Sequence, residues 1–304
     1  MKQTLPTITA VIHTKNSAKT LERTLKSVTF ADEILVVDMQ STDKTLEIAE
    51  QYHARILSVP DFGFVEPARN VALEALKTDW ALLVDADEVI PTKLSLYIPE
   101  LMTKGAIAFA IPRKNLIFGS WVQHSGWWPD YVIRLFAVGS VIWPDPPLIH
   151  AQPIVTGSLE KVPAREENAI EHHNYESVAE YVDRLQRYTT IQATQTSLTQ
   201  ANLEITQLHL WQTMTDEFAR RYFAEEGHKD GVVGSMLAWF QAFSELILGS
   251  KRWENSGRVE STDSQLAGLN YHLSVLSYWR ATYQIKHTRG IQQLYWRIRR
   301  KLYL

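Results

Sequence analysis

An α/β fold built on a parallel sheet is predicted by three observations. Short apolar strands alternate with amphipathic helices over roughly the first ninety residues. The early strands each end in a polar or acidic cluster. The fourth strand, Trp80-Ala81-Leu82-Leu83-Val84-Asp85, is apolar without alternation, as expected of a strand covered on both faces.

Ile8-Thr9-Ala10-Val11-Ile12 is a β-rich run that ends in His13-Thr14-Lys15-Asn16. A helix follows, with Ala18, Leu21, Leu25 and Val28 on one face and Asn16 or Ser17 as its expected N-cap. Glu33 to Asp38 is the second strand, and Ser41 or Thr42 is expected to cap a second helix that reaches Tyr52. Ala54 to Val59 reads as the third strand. Pro67 opens a third helix, with Ala68, Val71, Ala72, Ala75 and Leu76 at helical spacing. Parallel sheets of this kind bind ligands outside the carboxyl ends of their strands. Thr14-Lys15-Asn16, Asp38 and Asp85-Ala86-Asp87 should therefore converge on one crevice.

Beyond Ala106 the texture changes. Two β-like runs, Ala106 to Ile111 and Tyr131 to Phe136, sit among loops rich in Trp, Gly and Pro. From Ser177 onward the chain reads helical, with stripes at Val178, Tyr181, Val182, Leu185, Tyr188 and at Val233, Met236, Leu237, Phe240, Ile247. We expect one α/β domain over 1–175, in halves of about 1–105 and 106–175. A helical region should fill 176–304.

The bulk numbers bound the function. With 304 residues, 45% hydrophobic and 21% charged, the chain has an ordinary globular balance. A net charge of -3 speaks against a nucleic-acid partner. The absence of cysteine excludes disulfides, a thiol nucleophile and Cys-ligated metal. Met1 to Pro6 has no signal-peptide core, and no uninterrupted apolar run reaches the ~18 residues that mark a span, so none is expected.

Two carboxylates around one small residue at a strand end can present oxygens to a hard cation, Mg²⁺ or Mn²⁺. Asp85 and Asp87 are those carboxylates, and Ala86 leaves room for phosphates. A solvated turn is the plainer alternative. Asp38 is placed to accept from a base N–H or a ribose hydroxyl, or else to cap the turn after it. Arg69, beside Asn70 in the third helix, is placed to reach diphosphate oxygens or to pair with Glu66 or Glu74. No phosphate-cradling glycine loop is present.

These residues, Thr14-Lys15-Asn16, Ala31 through Asp38, Ser41-Thr42-Asp43, Arg69-Asn70 and Asp79 through Glu88, resemble family 2 glycosyltransferases. Later landmarks resemble the branch with bacterial lipopolysaccharide core β-glucosyltransferases: Trp128-Pro129-Asp130-Tyr131, Arg134-Leu135-Phe136, His172 with Tyr175 and Ser177, and Gly227-His228-Lys229-Asp230-Gly231 with Gly234. The resemblance covers roughly residues 7 to 250. It implies a GT-A fold (a Rossmann-like nucleotide-diphospho-sugar transferase domain), a nucleotide-sugar donor, a divalent metal and inversion at the anomeric carbon. It implies further that Thr14, Lys15, Asn16, Asp38, Arg69, Asn70 and Asp85 hold the donor, usually a UDP-sugar. Asp85, Asp87 and His172 would hold the metal, and Asp130 would be the general base. Glu88, next to the metal motif, is the rival base. Trp121, Trp127 and Trp128 near Asp130 suit an acceptor-lining loop or a packed aromatic corner. Three positions depart from the family pattern: Ser17, Met39-Gln40 in place of Ser-Gly, and Ala151 after His150.

From Ala281 to Leu304 there is no acidic residue, while Lys286, Arg289, Arg297, Arg299, Arg300 and Lys301 are basic. Ile291, Leu294, Tyr295, Ile298 and Leu302 share one helical face, beside Trp296 and Tyr303. This pattern fits an anchor on an anionic membrane surface through 286–304, or a terminal helix docked on the protein. The resulting expectation is a cytoplasmic enzyme, peripheral at the inner face of the membrane, acting on a lipid-linked or cell-envelope glycan. A catalytically degenerate nucleotide- or glycan-binding protein on the same fold is the alternative.

Overall fold

A computed structural model describes residues 5–145, 151–199, 205–258 and 266–302. His150 and Tyr303 lie outside the described residues. In chain order the first elements are β1 (Ile8–Thr14), α1 (Leu21–Ser27), β2 (Glu33–Asp38), α2 (Thr45–Gln51), β3 (Arg55–Ser58), α3 (Glu66–Glu74) and β4 (Trp80–Asp85). Next come β5 (Glu88–Val89), α4 (Thr92–Leu101), β6 (Ala108–Ile117), β7 (Ser120–Trp121) and β8 (Asp130–Ala137). Short strands β9 (Val141–Ile142), β10 (Ile154–Val155) and β11 (Leu159–Lys161) precede β12 (Ile170–Tyr175). Five long helices follow: α5 (Val178–Thr199), α6 (Gln207–Ala219), α7 (Gly231–Asn255), α8 (Ala267–His287) and α9 (Gly290–Leu302).

The chain divides into two compact units. One holds residues 1–116 and 128–174, and the other holds 117–127 and 175–304. The helical unit thus takes in an excursion, 117–127, that the sequence reading left with the α/β half.

In the α/β unit the sheet runs β3-β2-β1-β4-β8-β6-β12-β5, with β11 beside β6. The first four strands are parallel, and β8 joins β4 and β6 antiparallel. The sheet is mixed because no helix separates β6 from β8, so no crossover forces a parallel return. Ile12, Leu82, Val84 and Phe109 pack on one face with Leu21 and Leu25 of α1 and Ile98 of α4. Val11, Leu35, Leu83 and Phe136 pack on the other with Ala68 and Ala72 of α3.

The first two helices start later than the expected caps. Asn16 takes left-handed backbone (φ 50), which Asn tolerates, and the Ser17 carbonyl closes a turn onto the amides of Thr20 and Leu21 at 3.0 and 2.9 Å. Ser41 and Thr42 do not cap α2. The Asn16 N–H donates to Ser41 Oγ (2.9 Å), and the Thr42 N–H donates to Asn16 Oδ1 (2.8 Å). These polar side chains tie the loop after β1 to the loop after β2. Asp43 accepts from the Thr45 N–H (2.9 Å), where α2 begins. In α3, Pro67 lies in the first turn, Val71 is exposed, and Arg69 takes a buried place.

In the helical unit, Tyr181 of α5 is buried against Tyr175 and Phe240, and Gln241 Nε2 donates to its hydroxyl at 2.6 Å. Val178 and Val182, expected in that stripe, are exposed. The Gly227-to-Gly234 landmark is explained by packing. A side chain at Gly227 would meet Ser125 Oγ at 2.0 Å, and one at Gly234 would meet the Gly227 carbonyl at 2.0 Å. Asp230 accepts from the amides of Gln123 (3.1 Å) and His124 (2.8 Å). The stretch Gly227–Asn255 is long and apolar enough to cross a membrane by length and composition, with mean hydropathy 1.4 over its best window. Scattered polar residues had hidden this from a test for unbroken apolar runs. Leu237, Ala238 and Ala242 of α7 are buried within the unit.

Candidate functional site

Register brings the strand-end residues together. Thr14 lies opposite Asp38 on β2, and His13 lies opposite Asp85 on β4. Asp38 is buried and accepts from Thr14 Oγ1 (3.1 Å) and the Ser41 N–H (2.9 Å), which ties the end of β1 to the loop after β2. Lys15 pairs with Asp61 at the rim. Asn70 is spent on backbone: it donates to the Trp143 carbonyl (3.0 Å) and accepts from the Trp143 N–H (2.9 Å).

Asp85 is the centre of a charge network. Its Oδ1 accepts from Arg69 Nη2 at 3.3 Å, and its Oδ2 accepts from Arg134 Nη2. Glu88 is fully buried; its Oε1 meets Arg134 Nη2 (2.8 Å) and Arg113 Nη1 (3.4 Å), and its Oε2 accepts the Asp85 N–H (2.9 Å). Burial alone would raise the Asp85 carboxyl. The Arg134 and Arg69 guanidiniums reverse this and hold it well below the usual carboxylate range. Burial likewise disfavours the Arg134 cation, but Asp85 and Glu88 raise its pKa above the ordinary arginine value. Isolated, any of these ions would cost several kcal/mol to bury; together they hold one another in place. Thr24 of α1, also buried, donates to the carbonyls of Ala86 (3.0 Å) and Glu88 (2.7 Å) and fixes the turn that carries the carboxylates.

Buried nitrogens gather around Asp85 with nothing to bond. Both ring nitrogens of His13, Arg69 Nη1 and Arg134 Nε have no hydrogen-bond partner among the described residues. Burial, with Arg69 and Arg134 nearby, lowers the His13 pKa to about 3, so the ring is neutral. Orphaned buried donors at one spot call for water or a polar ligand.

A second arm leads from Asp87 to Asp130. Strand β12 pairs antiparallel with β5, setting His172 opposite Glu88, and the His173 N–H donates to the Asp87 carbonyl at 3.0 Å. His172 Nε2 then lies 3.7 Å from Asp87 Oδ1. On its other side His172 Nδ1 is 2.8 Å from Asn115 Oδ1, and Asn115 Nδ2 donates to Asp130 Oδ2 (3.1 Å). Because the Asn115 amide nitrogen serves Asp130, its oxygen faces His172 and sets the Nδ1–H tautomer. The lone pair of Nε2 is left on the Asp87 side. Arg113, directly opposite Asp130 across β6 and β8, donates to Asp130 Oδ2 from Nε (2.9 Å) and Nη2 (2.6 Å). Among the described residues no donor reaches Asp130 Oδ1.

The expected metal triad therefore does not assemble from side chains alone. Among the described residues no three His, Asp or Glu groups are placed to hold one ion. Asp87 and His172 come together, whereas both oxygens of Asp85 are claimed by arginines. One carboxylate and one imidazole still suit Mn²⁺ or Mg²⁺ when substrate phosphates complete the shell. The Asn115–His172 bond is the outer-shell contact that orients such a ligand. The aromatic loop is divided: Trp127 belongs to the helical unit, with the Arg221 guanidinium 5.6 Å from its ring centre, and Trp128 belongs to the α/β unit.

Sequence reasoning missed His13, Arg113 and Asn115, and gave Arg134 no role. The available signal was the polar run Arg113-Lys114-Asn115 inside an apolar strand, whose first and third members share one face.

Residues 9–146 match the model of glycosyl transferase family 2. This segment is similar to the family 2 glycosyltransferase domain. Its mixed sheet, followed by a helical region, is GT-A-like. The chain is 44% identical over 88 residues to an "Uncharacterized glycosyltransferase" of Rickettsia bellii, a match covering 29% of this chain and 30% of that one. A Rickettsia felis protein of the same description is 41% identical over 88 residues, 29% of this chain and 31% of the relative. The chain thus spans about a third of the length of the curated relatives it matches. Among solved structures, S. aureus TarS 1-349 is similar with TM-score 0.44 and 18% identity, covering 83% of this chain and 91% of that one. Glucosyl-3-phosphoglycerate synthase from Mycobacterium tuberculosis, crystallised with Mn²⁺, UDP and phosphoglyceric acid, is similar with TM-score 0.42 and 19% identity, covering 63% and 78%.

Proposed function

We propose that the protein is an inverting glycosyltransferase that moves a sugar from a UDP-sugar to a lipid-linked or cell-envelope glycan, such as lipopolysaccharide core, at the inner face of the cytoplasmic membrane. The observation that carries this reading is the arm Asp87–His172–Asn115–Asp130, which ties a cation-binding pair to a carboxylate within one network.

A bound divalent cation would supply Lewis-acid stabilisation of the departing diphosphate. Asp87 and His172 are the residues that would hold it. Arg69, beside Asp85 and with an unpartnered Nη1, supplies further positive charge for the phosphates. Asp85, pinned by Arg134, is suited to accept a ribose hydroxyl. Thr14, Asn16 and Asp38 frame the strand ends where a nucleoside would lie. Asp130 takes the proton from the acceptor hydroxyl on Oδ1, with Arg113 and Asn115 orienting it through Oδ2. Glu88 has both oxygens occupied in the interior, so it positions the arginines rather than moving protons. The exposed apolar row of α9 supports a membrane-bound acceptor.

The test is transfer itself. Purified protein is incubated with a radiolabelled UDP-sugar, Mn²⁺ and glycolipid extracted from bacterial envelopes. Label should pass to the lipid phase with wild type and not with Asp130→Asn. Label transfer undiminished in Asp130→Asn would remove Asp130 from the mechanism.

A further inference from the structure

Helix α9 is amphipathic, yet it docks by the wrong face for a core helix. Gln293, Trp296 and Arg300, at i, i+3 and i+7, turn toward α8. Gln293 Nε2 donates to the Ile285 carbonyl (3.0 Å), the Arg280 guanidinium lies 5.4 Å from the Trp296 ring centre, and Arg300 lies 5.9 Å from that of Tyr278. The apolar row is left outside: Ile291 is 87% exposed, Leu294 56%, Tyr295 51% and Ile298 51%. A terminal helix serving the protein's own core would do the reverse.

Beside this row, α8 and α9 enclose an open groove of about 630 Å³ lined by Tyr278, Ile285, Arg297, Arg300 and Lys301. Three cations share it, and among the described residues none of the three has a carboxylate partner. Several cations elsewhere in the same unit are answered: Arg220 and Arg221 by Glu217, Lys229 by Glu226, Arg258 by Glu254. Among the described residues Arg187, Lys251 and Arg280 also lack a carboxylate, but Lys251 donates to Gln186, Thr189 and Thr190, and Arg187 and Arg280 lie over the Tyr188 and Trp296 rings. The groove's three cations lie together on the helix that shows its apolar side.

We propose that this groove binds the phosphate of an anionic membrane phospholipid, with α9 lying in the bilayer interface and its Ile291–Ile298 row among the acyl chains. The proposal rests on the membrane half of the reading above and not on its chemistry. Phosphate suits the site because a guanidinium pair with an adjacent ammonium offers converging donors. The neighbouring apolar row gives a reason for the phosphate to come from a lipid and not from solution.

Full-length protein is sedimented with vesicles of phosphatidylcholine, with or without phosphatidylglycerol. Two charge-matched triple variants run beside wild type: Arg297→Gln/Arg300→Gln/Lys301→Gln in the groove, and Lys286→Gln/Arg289→Gln/Arg299→Gln outside it. Mn²⁺-dependent UDP-sugar binding is measured on each as the check on folding and on the catalytic reading. Wild type should prefer the anionic vesicles, and the groove triple should lose that partitioning on the order of 100-fold. The outer triple should lose tenfold or less. Free glycerol phosphate in millimolar excess should not release the protein. Equal losses in both triples would mean diffuse attraction and overturn the groove. Equal binding to neutral vesicles, no binding at all, or release by glycerol phosphate would overturn the lipid assignment. If vesicle binding behaves as expected while UDP-sugar binding is absent, the groove stands and the catalytic reading falls.

Discussion

Two clusters of arginine in this protein stand in opposite electrical circumstances. At the end of β4, Arg69, Arg113 and Arg134 meet Asp85, Glu88 and Asp130, and every cation has a carboxylate. On α9, Arg297, Arg299, Arg300 and Lys301 have none among the described residues. Charges answered inside the fold are structural capital: they cost desolvation and return fixed geometry. Charges left unanswered on a surface are addressed to something outside it. The first arrangement builds a site that positions a donor, and the second marks where the chain meets an anion it does not contain.

The contrast is sharpest in stability. Arg134→Met strands Asp85 and Glu88 in the interior and should cost about 3–5 kcal/mol in urea unfolding. The same loss of a guanidinium at Arg300 should stay within about 0.5 kcal/mol, because no buried partner is abandoned. Equal costs at the two positions would erase the distinction.

Within the answered cluster, catalysis separates from folding. Asp130→Asn keeps its Arg113 and Asn115 contacts in outline and should lower the transfer rate by about 10²–10⁴ with donor binding unchanged. Asn115→Leu removes the bridge to both His172 and Asp130, and should weaken Mn²⁺ affinity about 10–100-fold. A loss of unfolding free energy with no change in metal affinity would make Asn115 structural only.

His13 gives a pH signature. Its folded pKa is depressed to about 3, against about 6.5 unfolded. Below 6.5 the unfolded chain therefore binds a proton that the folded chain refuses. The cost is absent above pH 6.5 and grows by about 1.4 kcal/mol per pH unit as pH falls toward 3. His13→Leu should flatten that part of the stability curve, read from urea midpoints between pH 7 and 4. An unchanged slope would place the titrating group elsewhere.

The smallest effect concerns Gln40, whose φ of 59 lies in the left-handed region. Gln40→Gly should raise stability by up to about 1 kcal/mol by relieving that strain, measured by thermal melting. A decrease would show that the Gln side chain contributes contacts worth more than the strain.

These particulars mark how far sequence carries. The parallel half was legible because Leu35-Val36-Val37 and Leu82-Leu83-Val84 are short unbroken apolar runs alternating with helical patterns, as doubly covered strands of a parallel sheet produce. The Asp87–His172 meeting was legible only through family resemblance, since it depends on β12 returning to β5 across more than eighty residues of chain. The polar run at Arg113 and Asn115 could flag a shared face, but their meaning lies across the sheet, opposite Asp130, and that pairing cannot be read locally. Helix starts were misplaced because Ser41 and Thr42, good caps in isolation, are used to tie one loop to another. On α9 the amphipathic pattern was plain, but which face docks on α8 is decided by Trp296 and Arg300 finding Arg280 and Tyr278.

The most direct measurement is a calorimetric titration of purified protein with UDP-glucose, UDP-galactose, UDP-N-acetylglucosamine and GDP-mannose, with and without Mn²⁺, alongside Asp87→Asn. Expected is binding of one UDP-sugar that requires Mn²⁺ and is lost in Asp87→Asn while unfolding is unchanged. Binding that is indifferent to Mn²⁺ and to Asp87, or no binding at millimolar ligand, would contradict a metal-assisted transferase built on Asp87 and His172.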